Sequence, residues 1–175
     1  FLYVEFIHQI RRFILLFILH RKTAVSKKQN PVNLEVAKQI GILFNAENIP
    51  QNDIIVSFAA KLKALQKEVH LLGFVPKREF GFQYPFPLIS EIDTNWYGKP
   101  KGGTVDFFIN TPFDLMVDFC SDECLPLEYI SGVSSSKFRV GFNKEINNAN
   151  YDLILIPKEK SDISNLIQNL EKYLK

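Results

Sequence analysis

Short apolar runs rich in branched residues recur along this chain, and the stretches between them repeat at helical spacing. That alternation constrains the fold more than any other feature. Residues 40–44 (IGILF) read as a buried strand. Residues 45–53 follow as a loop, with Pro50 and Asn52 as turn and N-cap material. Ile54, Ile55, Phe58, Ala59, Leu62 and Leu65 then recur on one helical face, with Lys61, Lys63 and Lys67 outside it, before a second strand at 69–75 (VHLLGFV). Strand, helix and strand make one βαβ unit. Residues 114–119 (DLMVDF), 137–142 (KFRVGF) and 151–156 (YDLILI) read as further strands, with helices at 125–135 and 163–174. Strands joined through helices imply parallel pairing with both sheet faces covered. The expected fold is therefore an α/β three-layer sandwich around a mostly parallel, Rossmann-like sheet. Sixteen Phe in 175 residues supply large rings for its core.

The middle of the chain is less regular. Residues 76–103 carry Pro76, Pro85, Pro87 and Pro100 among many aromatics. Residues 80–84 (FGFQY) alternate and predict a short strand. Residues 91–101 (EIDTNWYGKPK) predict a surface loop presenting Trp96 and Tyr97, and residues 105–109 a short helix ended near Pro112.

Ahead of this pattern lies FLYVEFIHQIRRFILLFILHRK, residues 1–22. Glu5, His8, Gln9, Arg11 and Arg12 interrupt it, so it lacks the roughly 20 apolar residues of a membrane span. At 100° per residue those polar side chains gather in one arc, and most of Leu2, Tyr3, Phe6, Ile7, Ile10, Phe13, Ile14 and Phe17 fill the other. The segment predicts an amphipathic helix with three candidate seats: its own α/β domain, another chain, or a membrane interface. Residues 1–38 are thus expected to form a basic helix and linker, and residues 39–175 one α/β domain. Charge follows the same division. Residues 1–40 hold seven Lys/Arg against Glu5 and Glu35, and the remainder fourteen basic against seventeen acidic residues. An anionic partner would meet the leader first.

Ligands of open parallel sheets lie beyond the carboxyl ends of the strands. That rule selects Asn45, Glu47 and Asn48, Lys77 and Arg78, Asp118, Ser121, Asp122 and Glu123, and Asn143 and Lys144. Of these, Asn45, Glu47, Asp118, Asp122, Glu123 and Asn143 are the ligand-binding candidates. Carboxylates at a strand end can hold Mg²⁺, but the preferred reading is that Ser121 or Asp122 caps the next helix, with Glu123 complementing its dipole. No metal site is assigned. Cys120 and Cys124 read as reduced thiols, lacking the further ligands that zinc requires. Neither phosphate-binding glycine pattern is present, and the loop after the first strand, Asn-Ala-Glu-Asn, has no glycine to bring phosphates to the backbone. His70 reads as a half-buried strand residue, and Ser134–Lys137 as a polar helix end rather than a serine–lysine pair. Partner contacts fall to Arg11, Arg12, Arg21 and Lys22 of the leader, and to Trp96, Tyr97 and Lys99 of the aromatic loop. The loop rings can stack on bases or sugars, anchor an interface, or fold back over the sheet.

The succession IGILF, VHLLGFV, DTNWYGKPK, FDLMVDF, PLEYISGVSSSKFRVG and YDLILI resembles a family of small uncharacterised bacterial proteins, a domain of unknown function, over nearly the whole chain. The resemblance implies a small α/β fold and a basic N-terminal helix, without an activity or site residues. A local likeness, carried by Asp114, Asp118, Arg139, Gly141 and Phe142, is to the strand–helix–strand stretch of heptosyltransferase-like glycosyltransferases. The chain is too short for their two-domain architecture, so the likeness implies shared architecture only.

These readings lead to a non-enzymatic, cytoplasmic binding or adaptor protein, without cofactor or catalytic residue. Its basic helix would dock on a protein or ribonucleoprotein (a ribosome or RNA) or on the inner membrane face. The alternative is a sugar or nucleotide-sugar binding protein, or a diverged glycosyltransferase-like domain, using the strand-end carboxylates for a small-molecule ligand. Metal-dependent hydrolysis at Asp118 and Asp122 is a third.

Overall fold

In a computed structural model, the described residues are 2–23, 32–79, 81, 83–142, 150–156 and 162–175. Among the described residues, six strands form one sheet: β1 (Gln39–Asn45), β2 (Glu68–Val75), β3 (Leu88–Ser90), β4 (Leu115–Asp118), β5 (Arg139–Phe142) and β6 (Leu153–Leu155). Their order is β3-β2-β1-β4-β5-β6, and every pairing is parallel. The helices are α1 (Leu2–Thr23), α2 (Ile49–Ala64), α3 (Gly103–Asn110), α4 (Leu125–Val133) and α5 (Ile163–Tyr173). The α/β sandwich expected from the alternating pattern is the fold observed.

The two faces of the sheet bury different sets of residues. Ile55, Phe58 and Leu62 of α2 join Leu166 and Leu170 of α5 on one face, over Ile42, Phe44 and Val117. Val105 and Phe108 of α3 join Leu127 and Ile130 of α4 on the other, over Leu43, Leu72 and Met116. Residues one apart on a strand point to opposite faces, so Ile42 and Leu43 serve different layers.

Polar staples fix the strand starts. Asp114 accepts from the backbone N–H groups of Lys38 and Gln39 and pairs with Lys137 at 2.7 Å, tying the beginnings of β1, β4 and β5. Arg139 pairs with Asp152 at 3.0 Å and donates to the Gly132 carbonyl, joining β5 to α4. Asp114 and Arg139 therefore do structural work.

Three local expectations change. The strand after β2 is not at 80–84: Phe80 and Phe82 lie outside the described residues, while Gly81 is left-handed at φ 81° and Gln83 and Tyr84 are not in a strand. A backbone turned that way cannot continue an extended run, and the edge strand forms at Leu88–Ser90 instead. The helix after β1 begins at Ile49, five residues early, because Asn48 caps it by accepting from the Gln51 N–H and Pro50 suits its first turn. Neither Ser121 nor Asp122 caps α4; its N-cap is Cys124.

α1 lies against α4 through its polar side. Leu15 and Leu19 are buried with Tyr129, and Arg12 pairs with Glu123 at 3.0 Å. Leu15 and Leu19 fall inside the arc that holds Arg11 and Arg12, so the seat on the α/β fold uses that arc and leaves the apolar one outward. Among the described residues, no helix is long and apolar enough to cross a membrane.

Candidate binding surfaces at the strand ends

β1 and β4 are neighbours, yet the chain leaves β1 for α2 on one face and leaves β4 for α4 on the other. Such a switch point opens a crevice beyond the strand ends. Here it is a cavity of about 250 Å³ whose walls include Asn45, Glu47, Gln51, Asp122 and Glu123. Four of the six residues selected from sequence as ligand contacts therefore meet in one place. Asn45 and Glu47 hold each other: the Asn45 amide donates to Glu47 at 2.8 Å, and the Glu47 N–H donates back to the Asn45 carbonyl oxygen at 2.9 Å. Asn143 lies outside the described residues.

Asp118 takes no part in the crevice wall. It is fully buried at the end of β4, where it accepts from the Cys120 N–H at 3.0 Å and from the Tyr151 hydroxyl at 2.5 Å. Burial, then the Asp118 charge, pushes the Tyr151 phenol well above its usual pKa, so Tyr151 stays the donor. Asp118 is a positioning group for the β4–α4 turn. Among the described residues, no cluster of three His, Cys, Asp or Glu could hold a metal ion.

The crevice does not suit a phosphate. Glu47, Asp122 and Glu123 give it negative charge, and the Asn48 side chain already occupies the Gln51 N–H at the start of α2. Its amides and carboxylates match hydroxyl or ammonium groups instead.

A second cleft, of about 490 Å³, opens on the other side of the β4–α4 turn. Arg11, Trp96, Glu91 and Glu123 line it above Phe74 and Leu125. Residues assigned to the leader and to the aromatic loop thus share one site, which sequence spacing could not reveal. The aromatic pair divides its roles: Trp96 is exposed, while Tyr97 packs beside Leu125 and Tyr129 with its ring 5.4 Å from the indole. Lys99 turns to the Tyr129 ring, 5.8 Å from its centroid. Both thiols are buried and unbridged. The side chains of Arg21 and Lys22 lie outside the described residues.

Residues 11–175 match a family of unknown function, DUF6913. The chain belongs to that family. No curated protein matches it. The DUF6913 match begins inside α1, at the arginine that lines the second cleft, and takes in both strand-end sites.

Proposed function

We propose that this chain is a docking protein whose α/β fold holds α1 against a lipid surface. One observation carries the reading. Phe6, Ile10, Phe13 and Phe17 stand on the outer side of α1 at exposures of 63, 37, 73 and 52%. Their spacing puts them within about 60° of arc, opposite Leu15 and Leu19, and no charged residue interrupts that arc. Three large rings and an isoleucine in one uninterrupted apolar row are not ordinary surface for a soluble helix.

Area and charge favour a lipid occupant. With aromatic side chains presenting roughly 150–250 Å² each, the stripe offers on the order of 400 Å². Two copies joined through it would bury about 800 Å², short of the ~1,200 Å² of a specific interface. RNA would be met by cations, whereas Arg12 turns to Glu123 and Arg11 lines the cleft. A lipid interface needs no shape match, and a helix lying in its plane buries such a stripe directly. Arg21 and Lys22 add two cations in sequence at the C-terminal end of α1, which adds attraction to anionic headgroups.

Co-sedimentation of the full chain with vesicles mixing phosphatidylglycerol and phosphatidylcholine tests this. The chain is expected to pellet with them, and Phe13→Glu with Phe17→Glu to keep it in the supernatant with an unchanged melting temperature. A wild-type chain that stays in the supernatant overturns the reading.

A second reading, a polar small-molecule site such as a sugar would need, is favoured by the switch-point crevice. Stabilisation by sugars that Glu47→Ala abolishes would support it; a flat thermal-shift response to sugars and sugar nucleotides would exclude it.

A further inference from the structure

The outer edge of β2 is only partly covered, and the sequence explains why. β3 pairs with Gly73, Phe74 and Val75 alone. Along β2, peptide groups alternate between the two neighbours: the Glu68 N–H donates inward to the Lys38 carbonyl, and the Gly73 N–H donates outward to the Pro87 carbonyl. The outward groups in the uncovered half are therefore those of Val69 and Leu71. No hydrogen bond satisfies them among the described residues.

Gly73 stands opposite Leu88, so continuing that register would set Phe86 opposite Leu71 and Tyr84 opposite Val69. In a parallel ladder, the carbonyls of Leu71 and Val69 would then need the N–H groups of residues 87 and 85. Both are proline and have none. The chain's own segment cannot complete the ladder. It stands off, leaving a groove of about 480 Å³ between β2, Pro85–Pro87 and α3.

We propose that this groove takes an extended peptide from another protein, added to the sheet as a strand on β2. Alternate residues of a strand repeat at about 6.6 Å, so Val69 and Leu71 present two donors and two acceptors at the spacing of a peptide backbone. Side chains of the added strand alternate between the two faces. On one, Phe107 and Phe108 of α3 offer an apolar, aromatic wall beside His70, whose ring lies 5.0 Å from that of Phe107 and bonds Glu68 through Nε2. On the other, Lys63 of α2 reaches the groove without an ion pair among the described residues. The fitting sequence alternates apolar with acidic residues. This proposal is independent of the lipid reading of α1.

Short random peptides displayed on phage and selected on the full chain are the probe. Enriched sequences, synthesised and titrated into isotope-labelled protein, should slow amide exchange at Val69 and Leu71 by about tenfold or more. Methylating alternate peptide nitrogens should abolish binding, while methylating the intervening ones should not. Lys63→Glu changes an exposed side chain, leaves the fold intact and should weaken acidic peptides about tenfold. Three results overturn the proposal: no enrichment, protection that maps away from β2, or a free chain that dimerises with Val69 and Leu71 already protected, which would make a second copy the occupant.

Discussion

Leu19 of α1 lies in the notch that Gly132 leaves on α4. A Cβ built on Gly132 would stand 2.8 Å from Leu19 Cδ2 and 2.6 Å from Asn150 Oδ1. Glycine inside a helix costs about 1 kcal/mol relative to alanine, so close approach is what justifies it here. Gly132→Val should push α1 outward and destabilise the fold by about 1–3 kcal/mol. Hydrogen exchange is expected to speed up in α1 before it does in β1 or β4. Unaltered exchange in α1 would mean that the notch does not seat it.

Beneath the strand ends, the Tyr151 hydroxyl satisfies the Asp118 carboxylate. Tyr151→Phe removes a donor from a buried acid and should cost about 1–3 kcal/mol in urea denaturation. Asp118→Asn in the same chain should restore part of that loss, because the remaining group is neutral. Additive losses in the double variant would contradict the coupling.

Asp114 sets an acid limit on stability. Its burial alone would raise its pKa, but hydrogen bonds from Lys137, Gln39 and Lys38 outweigh that and bring it down to about 2. The folded value lies below the unfolded one of ~3.9, so the carboxylate contributes fully above about pH 4 and progressively less as pH falls towards 2. Asp114→Asn should lower stability at neutral pH by about 1–2 kcal/mol, the site being partly exposed. The gap between variant and wild type should close near pH 2; a gap constant with pH would rule the mechanism out.

Much of the sheet was legible because buried parallel strands are continuous apolar runs, and residues 40–44 and 69–75 are short and rich enough in branched residues to favour strand over buried helix. The edge strand was harder to place. Phe80-Gly-Phe-Gln-Tyr alternates as a strand should, but a left-handed Gly81 interrupts it, and three residues beyond Pro87 pair instead. At the candidate sites, the strand-end rule selected Asn45, Glu47, Asp122 and Glu123 without knowing which strands adjoin, and the fold sets them around one crevice. It also chose Asp118, whose partner Tyr151 lies 33 residues away and is brought near by the pairing of β5 with both β4 and β6. For α1, periodicity separates a polar arc from an apolar one. It did not say that Leu15 and Leu19, set among the arginines, would be the buried pair. The ISGV stretch around Gly132 was the available signal.

The outward stripe of α1 is most directly tested by lipid-depth quenching. In a Trp96→Phe background, Phe13→Trp places the chain's only indole on that stripe. Vesicles carrying bromine on the upper acyl carbons should quench its fluorescence and shift it to the blue. Full fluorescence with vesicles present in excess would contradict the account.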